Sequence, residues 1–227
     1  MRLSVSTSIA KGFDVFLRKL GKFGFDSIEL LPGHINDDNL GLLEYFSKKI
    51  SVCGLGGELK NYNYTLYLGQ SLNADFICVE LSSRSELKKL GDMVKKAEEL
   101  GQRVAVVNNP AEVGYPSKVA EMKHIADTTG AHVVLDTAHA RTESNSLINF
   151  VKALEERIVG IRISDFFRGY GHLPIGIGET EYLDPIIDVF GRSSVPFILT
   201  LDERFSLLDA WISRTNLETR YKRTPKR

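Results

Sequence analysis

Several features that mark particular classes of protein are missing from this sequence. No apolar run approaches the roughly 20 residues that cross a bilayer. The first residues, MRLSVSTSIAKGFD, lack the long apolar segment and small-residue cleavage site of a signal peptide. Basic and acidic residues both number 29, so the net charge gives no sign of a nucleic-acid or membrane partner. The sequence therefore predicts a cytoplasmic protein without a membrane partner.

Cysteine is also scarce. The two cysteines, Cys53 and Cys78, each lie inside an apolar run that is typical of a strand. A cysteine inside an apolar strand is usually a buried free thiol, so we favour this interpretation over a disulfide or a pair of metal ligands.

No linker, internal repeat or low-complexity tract divides the 227 residues. The segment 220–227, RYKRTPKR, is basic, and we interpret it as a solvated, frayed end in preference to an arm that binds phosphate or nucleic acid. The sequence thus predicts one domain over residues 1–219, followed by a short basic tail. It does not indicate the oligomeric state.

Short apolar runs alternate along the chain with longer segments of helical period. Eight of these runs are rich in β-branched residues and of a length that predicts strands. They cover residues 2–8, 27–32, 50–57, 75–81, 103–109, 132–138, 158–165 and 196–203.

The segments between these runs are mostly amphipathic. In 85–101, leucine, valine and alanine recur at steps of three and four residues, which predicts a helix that ends at Gly101. Residues 146–157 have the same pattern, and 116–130 combines it with Pro116 at a first turn and Gly130 at the end. The segment 58–73 has the least helical signal.

Eight apolar strands, each followed by a helix, predict a parallel sheet that is covered on its outer face. We interpret the pattern as an α/β fold, a single (β/α)8 TIM barrel. The alternative is an open doubly wound sheet, but the first strand is not followed by a GxGxxG turn and the number of units favours closure. The chain is shorter than the roughly 250 residues typical of the barrel, so some connections must be short.

Active sites of such barrels lie at the carboxyl ends of the strands, so the polar residues there are the candidates for chemistry. They are Glu29, Glu58, Glu80, Asn108, Asn109, Asp136, His139, Arg162, Asp165, His172, Thr200, Asp202 and Glu203. The remaining histidines, His34, His124 and His132, have no such context.

Three segments carry a resemblance to a known family. VVLDTAHA (133–140) resembles an LDTGHA turn, IRISDFFRGYGHLPIGIGE (161–179) resembles an HLSD…HLPIGEGE segment, and FDSIELLP (25–32) is similar to a GFDGIEL strand. These motifs belong to the xylose isomerase-like TIM barrel superfamily. It includes sugar and sugar-phosphate isomerases and epimerases, inosose dehydratases and the AP endonuclease family 2 proteins of the endonuclease IV type.

The resemblance implies a divalent metal held by a glutamate, an aspartate, a histidine and a glutamate from strands 5 to 8. In this sequence the four positions fall on Asn108, Asp136, Arg162 and either Thr200 or Asp202. Of the four positions, only Asp136 has the residue type that the family motif requires. His139 matches the histidine that follows this aspartate by three residues in the motif. An arginine cannot coordinate a cation, because it stays protonated.

From this substitution we form the hypothesis that the guanidinium of Arg162 replaces the positive charge of the metal. It would pair with Asp136, and with Asp165 or Asp202, by charge-assisted hydrogen bonds. The alternative is a purely structural arginine in a barrel that has lost catalysis.

The candidate catalytic residues are Asp136, His139, His172 and Asp202, with Glu203 as a further acid or base. Arg162, Asn108, Asp165 and Glu80 are the candidates for substrate binding. No cofactor is predicted; if a metal is bound, Asp136 with His139 or His172 would hold it.

Each of these residues also has a structural interpretation. Asp136 could cap a helix, and His172 could anchor the glycine-rich loop that would otherwise approach a phosphate. Glu29 and Glu80 could cap or pair with lysines at the rim.

Three functions remain open. The first is a sugar or sugar-phosphate isomerase or epimerase that moves a proton beside a carbonyl. The second is a non-catalytic barrel that binds a small anionic metabolite or a partner protein. The third is an AP endonuclease, which is disfavoured by the five histidines and the zero net charge.

Overall fold

Eight parallel strands close into a barrel in chain order, and the first of them pairs with the last. The computed structural model describes residues 1–141, 147–178 and 181–223. The barrel strands are β1 (Arg2–Ser6), β2 (Ser27–Leu30), β3 (Ser51–Gly57), β4 (Phe76–Val79), β5 (Val104–Val107), β6 (His132–Asp136), β7 (Ile158–Ile163) and β10 (Pro196–Leu199). Every one lies within a predicted strand, so the (β/α)8 barrel is confirmed.

Helices cover the outside of the barrel. They are α1 (Phe13–Lys19), α2 (Asp37–Ser47), α3 (Tyr62–Ser71), α4 (Leu87–Glu99), α5 (Val119–Thr129), α6 (Thr137–Arg141), α7 (Leu147–Leu154), α8 (Asp184–Phe190) and α9 (Leu207–Arg223). The segment with the least helical signal, 58–73, contains α3 after a short 3-10 turn over Leu59–Asn61.

Glycines follow two of the helices, as predicted, whereas one helix begins later in the chain than predicted. Gly101 and Gly130 follow α4 and α5 with φ values of 68° and 76°, which only glycine adopts at little cost. Helix α5 begins at Val119, so Pro116 precedes the helix instead of occupying its first turn.

A hairpin that the sequence did not predict follows β7. Strands β8 (Asp165–Phe167) and β9 (Tyr170–Leu173) pair in antiparallel fashion and form a separate sheet of two strands. Arg168 and Gly169 make the turn with φ values of 49° and 87°. Two consecutive positive φ angles are typical of the tight turns that match the twist of a hairpin.

The interior of the barrel holds a small apolar cluster around Phe76, which includes both cysteines. Gly54 and Gly160 make room for the ring, because a β-carbon at these positions would lie 2.8 Å and 2.7 Å from its atoms. Cys53 and Cys78 are buried free thiols, as predicted. Burial raises the pKa of each thiol to about 12, so neither is a reactive nucleophile at neutral pH.

The carboxyl-terminal helix continues past the predicted domain boundary. Residues 220–223 belong to α9, and Arg220 donates a hydrogen bond of 2.9 Å to Asp184. This part of the predicted tail is therefore not frayed, and 224–227 lie outside the described residues. Over the described ranges, no helix combines the length and apolar character needed to cross a membrane.

Candidate functional site

The carboxyl ends of the barrel strands open into a cavity of about 840 Å³. Among its described lining residues, six are acidic, three are histidines, one is a lysine and one is an arginine. They are Glu58, Glu80, Glu86, Asp136, Asp202 and Glu203, together with His34, His139, His172, Lys60 and Arg162. Fixed negative charge therefore exceeds fixed positive charge in the described part of the cavity.

Most of the predicted site residues meet in this cavity. Six of the eight line it, namely Asp136, His139, His172, Asp202, Arg162 and Glu80. The structure does not place the other two, Asn108 and Asp165, among the lining residues.

His139 and His172 form a pair, although they come from separate segments. His139 lies in α6, directly after β6, and His172 lies on β9. Their Nε2 atoms are 3.1 Å apart, and the two rings are nearly perpendicular, at 86°. Nδ1 of His139 is 2.8 Å from the carbonyl oxygen of Asn108, and Nδ1 of His172 is 3.2 Å from that of Thr200.

The contacts of this histidine pair bring two ring nitrogens face to face. A carbonyl oxygen only accepts hydrogen bonds, so each Nδ1 must carry the ring hydrogen. Each Nε2 then presents a lone pair, and two lone pairs would face each other at 3.1 Å. A shared proton or a metal ion between the two nitrogens removes this repulsion.

The backbone of His172 is strained. Its φ of 55° lies in the left-handed region, which is unfavourable for a residue with a β-carbon. The following loop is fixed to α9 through Ile175, which donates to Ser213 and accepts from Asn216. Because strained residues concentrate at functional sites, this conformation favours a functional His172 over a mere loop anchor.

Asp136 lies beside the histidine pair, and its side chain is 1% exposed. Its Oδ1 accepts hydrogen bonds from the backbone of Ala138 and His139, at 3.0 and 3.2 Å. Its Oδ2 is buried, lies 3.8 Å from Nδ1 of His139 and has no hydrogen-bond partner among the described residues. Burial alone would raise the pKa of Asp136, but His139, His172 and Arg162 bring it below its ordinary value. Asp136 is therefore an ionised carboxylate that does cap α6, with one oxygen to spare.

Arg162 does not form the expected ion pair with Asp136, Asp165 or Asp202. Its Nε donates to Oε1 of Glu29 at 2.9 Å, and its Nη1 is 3.8 Å from Oε1 of Glu80. Asp136 and Arg162 are neighbours in register on β6 and β7, but the guanidinium extends across the barrel to β2. The buried carboxylate of Glu29 therefore balances the charge of Arg162, and Glu29 does not pair with a rim lysine.

Asn108 contacts both Asp136 and His139 through hydrogen bonds. Its side-chain amide donates to the carbonyl of Asp136 at 3.1 Å, and its side-chain oxygen accepts from the N–H of the same residue at 2.7 Å. The side chain is fully buried. Since both ends of the amide are engaged, the Asn108 side chain positions the backbone of Asp136, and its carbonyl oxygen contacts the ring of His139. This differs from the expected contact with substrate.

Asp165 organises the glycine-rich loop. Its Oδ2 accepts hydrogen bonds from the N–H groups of Gly176 and Gly178, at 2.9 and 2.7 Å. These are amides that the sequence offered for a phosphate, and a carboxylate of the chain itself occupies them. Asp165 thus fixes the loop after β9 and does not face the cavity.

The carboxylates of the rim are more accessible. The side chain of Glu80 is 70% exposed. Asp202 accepts two hydrogen bonds from Arg204, which lower its pKa, and its N–H donates to the carbonyl of His172 at 2.9 Å. The loop after β10 therefore contacts both the cavity and the strand that carries His172.

Sequence reasoning missed three ionisable residues that line the cavity, namely His34, Lys60 and Glu86. His34 lies at 5.3 Å from the ring of Phe13, stacked upon it, and Lys60 follows β3. The signal was present for His34 and Lys60, because each follows the carboxyl end of a barrel strand within four residues.

Two sets of residues can be tested for metal binding. The set implied by the family resemblance does not fit, because Asn108 is engaged by backbone groups and Arg162 is a cation. A second set does fit. Asp136, His139 and His172 each offer one ligand atom, and these atoms lie within 4.8 Å of one another. Imidazole nitrogen and carboxylate oxygen are ordinary ligands of divalent transition metals.

Similar proteins are found by comparing structures, but not by comparing sequences. No family model matches the sequence, and a search of curated proteins gave no match either. Among solved structures, a D-psicose 3-epimerase from Clostridium cellulolyticum H10 matches with a TM-score of 0.78 and 14% identity over 97% of this chain and 99% of that one.

Two further solved structures extend the comparison. A xylose isomerase domain containing protein from Salmonella typhimurium LT2 has a TM-score of 0.74 and 12% identity, over 98% of this chain and 97% of the other. An AP endonuclease, family 2, from Brucella melitensis has the same TM-score and identity, over 99% and 100%. At sequence identities this low, the similarity shows the fold alone. The chain therefore has the fold of the xylose isomerase-like (β/α)8 barrels.

Proposed function

We propose that this protein is a sugar isomerase or epimerase-like enzyme that moves a proton beside the carbonyl group of an uncharged sugar. The observation that carries the proposal is the histidine pair. His139 and His172 face each other at 3.1 Å, next to the ionised Asp136 and inside a cavity large enough for a monosaccharide.

The histidine pair supplies the positive charge that this reaction needs. When a proton leaves the carbon beside a carbonyl, the electrons of the C–H bond move toward the carbonyl oxygen, which becomes negative. A positive charge fixed at His139 and His172 stabilises that oxygen in the transition state. A divalent cation held by the pair and Asp136 would supply the same polarisation of a carbonyl or hydroxyl oxygen.

The cavity carboxylates supply the base. Glu80 is accessible and lines the cavity, whereas two hydrogen bonds from Arg204 lower the pKa of Asp202 and make it a weak base. We therefore assign proton removal to Glu80 and the second acid–base role to Glu203, which lines the same cavity. Isomerisation returns the proton to the carbonyl carbon, while the proton of the adjacent hydroxyl passes to the former carbonyl oxygen. Epimerisation returns a proton to the other face of the same carbon.

The charges favour an uncharged substrate over a sugar phosphate or another anion. Six acidic residues line the described part of the cavity, and Glu29 offsets the charge of Arg162. The amides of Gly176 and Gly178 already bind Asp165. A phosphate would therefore meet carboxylates without a matching set of donors. The structural neighbour named D-psicose 3-epimerase is in keeping with a sugar substrate.

The test is exchange of carbon-bound hydrogen with solvent. The protein is incubated in D2O with a panel of ketoses, aldoses and their phosphates, and proton NMR follows the hydrogen beside the carbonyl. We expect exchange with at least one unphosphorylated sugar and less exchange with its phosphate. Glu80→Gln is expected to lower the rate by roughly 100-fold or more, because the base is lost.

His124→Gln serves as the matched control, since His124 lies on α5, outside the cavity. It should exchange at the wild-type rate. Equal rates in wild type and in a His139→Gln/His172→Gln double variant would contradict the proposal, as would the absence of exchange with every sugar of the panel.

One observation favours a non-catalytic barrel as the second candidate. Two of the four family metal positions hold Asn108 and Arg162, whose side chains are engaged within the protein. A barrel that only binds would show a rise in melting temperature with a sugar, an anionic metabolite or a partner, and no exchange in D2O. An AP endonuclease has less support, because an acidic cavity repels the phosphates of DNA.

A further inference from the structure

We propose that two copies of this chain associate through an apolar surface outside the cavity. The surface is formed by the hairpin of β8 and β9, the loop after it and the first two turns of α9, and we call it the hairpin surface. It exposes six large side chains, namely Phe167, Tyr170, Ile177, Leu208, Trp211 and Ile212. The inference concerns association alone and does not depend on the proposed function.

The three segments of the hairpin surface contact one another. A β-carbon on Gly178 would lie 3.2 Å from Cβ of Phe167, so the loop that carries Ile177 lies against the hairpin. The same loop is joined to α9, because the N–H of Ile175 donates to Oγ of Ser213 at 2.9 Å. The exposed apolar side chains therefore belong to one continuous surface.

The beginning of α9 is apolar on two faces. Leu207 and Ala210 are buried, whereas Leu208, Trp211 and Ile212 follow one another at steps of three and four residues and are exposed. A helix on the surface of a monomer normally carries polar residues on its outer face, as α4 does with its lysines and glutamates. The outer face of α9 is thus suited to contact with another protein surface.

The apolar area approaches what a stable dimer buries. The six residues are 40–66% exposed. Since large side chains have roughly 150–250 Å² to bury, they leave about 600 Å² of largely apolar surface in water. That area equals the largest patch of an ordinary monomer. A standard interface buries about 800 Å² on each partner, slightly more than half of it apolar, so the hairpin surface supplies the apolar part of one interface.

The charges around the hairpin surface favour a second copy as the partner. Arg168 lies at the turn of the hairpin, and Glu203 and Arg204 lie in the loop before α9; all three are exposed. A strongly charged partner, such as a nucleic acid, would meet charges of its own sign. Two-fold symmetry can place an arginine of one copy opposite the acid of the other. The net charge of the chain is zero, so two copies do not repel each other as wholes.

Trp211 allows a direct test, because it is the only tryptophan of the chain and belongs to the hairpin surface. Analytical ultracentrifugation of the full chain at micromolar concentration should give twice the chain mass of 25.4 kDa. On dilution the dimer should dissociate. Acrylamide should then quench the fluorescence of Trp211 more strongly, and its emission should move to longer wavelength.

One variant and one control locate the interface. Leu208→Glu introduces a charge into the hairpin surface, and it should weaken self-association by roughly 30-fold or more and make quenching of Trp211 independent of concentration. Tyr67→Glu introduces the same charge at an exposed residue of α3, on another side of the barrel, and should associate as wild type does.

A wild-type protein that sediments as one chain at every concentration would overturn the inference, and the hairpin surface would then belong to a different partner. Equal self-association of wild type and Leu208→Glu would overturn it too, as would association that leaves the quenching of Trp211 unchanged. If Leu208→Glu does not fold, as judged by circular dichroism, the dilution series of wild type decides alone, since it needs no variant.

Discussion

At the scale of single residues, Arg162 and Glu29 form a buried ion pair that joins β7 to β2. The two side chains are 7% and 0% exposed. A buried pair of this kind adds little net stability, but each partner depends strongly on the other. One oxygen of Glu29, Oε2, has no hydrogen-bond partner among the described residues, so removal of the guanidinium would isolate a buried charge.

We therefore expect Glu29→Leu and Arg162→Met each to lower the free energy of unfolding by about 3–5 kcal/mol, because each leaves a buried charge without its hydrogen-bonded partner. The double variant should lose less than the sum of the two, since it removes both charges. Urea denaturation followed by circular dichroism measures all three. Strictly additive losses would show that the two side chains do not depend on each other.

The site was predictable from the sequence where a residue type and a strand end coincide. Asp136, His139 and His172 are polar residues at the functional end of apolar strands, and all three line the cavity. The partner of Arg162 was not predictable, because neighbouring strands are fixed by chain order but contacts across a barrel depend on how far a long side chain extends. Glu29 is separated from it by 133 positions.

At the scale of elements, the hairpin of β8 and β9 and the loop after it bring His172 to His139. The sequence predicted a glycine-rich loop here, because glycines and an aromatic-rich run give no regular alternation. All eight barrel strands were predicted because they are apolar along most of their length and alternate with segments of helical period. The hairpin is short and partly exposed, so tertiary contacts decide its structure.

Asp165 is the residue on which this arrangement depends. Asp165→Ala should lower the free energy of unfolding by about 3 kcal/mol, because two N–H groups lose a charged acceptor. Hydrogen exchange at the amides of Gly176 and Gly178 should accelerate as well. Asp188→Ala, on the exposed face of α8, is the control and should leave exchange unchanged. Unaltered protection at both glycines in Asp165→Ala would contradict this role.

At the scale of the whole molecule, the apolar cluster inside the closed barrel includes the ring of Phe76. Phe76 fills the interior between Gly54 on β3 and Gly160 on β7. The sequence predicts closure from the number of strands, but it does not identify the residue that fills the centre. Substitutions at the glycines that contact Phe76 therefore test how the interior of the barrel is packed.

Gly160→Ala should destabilise the protein by about 1–3 kcal/mol, because its methyl group would lie 2.7 Å from Cζ of Phe76. Gly91→Ala, in α4, has no described atom within 4 Å of the added carbon and should stabilise the protein by about 0.5–1 kcal/mol. Urea denaturation of both variants checks the contrast. A Gly160→Ala variant as stable as wild type would mean that the ring can move aside.

The hairpin pairs only with itself and adds no strand to the closed barrel. His172 and its left-handed backbone therefore belong to an excursion from the fold, and His139 belongs to a helix of five residues beyond β6. Substitutions at His139 and His172 therefore remove no hydrogen bond between the strands of the barrel. In evolutionary terms, the chemistry of this barrel is free to change faster than its architecture.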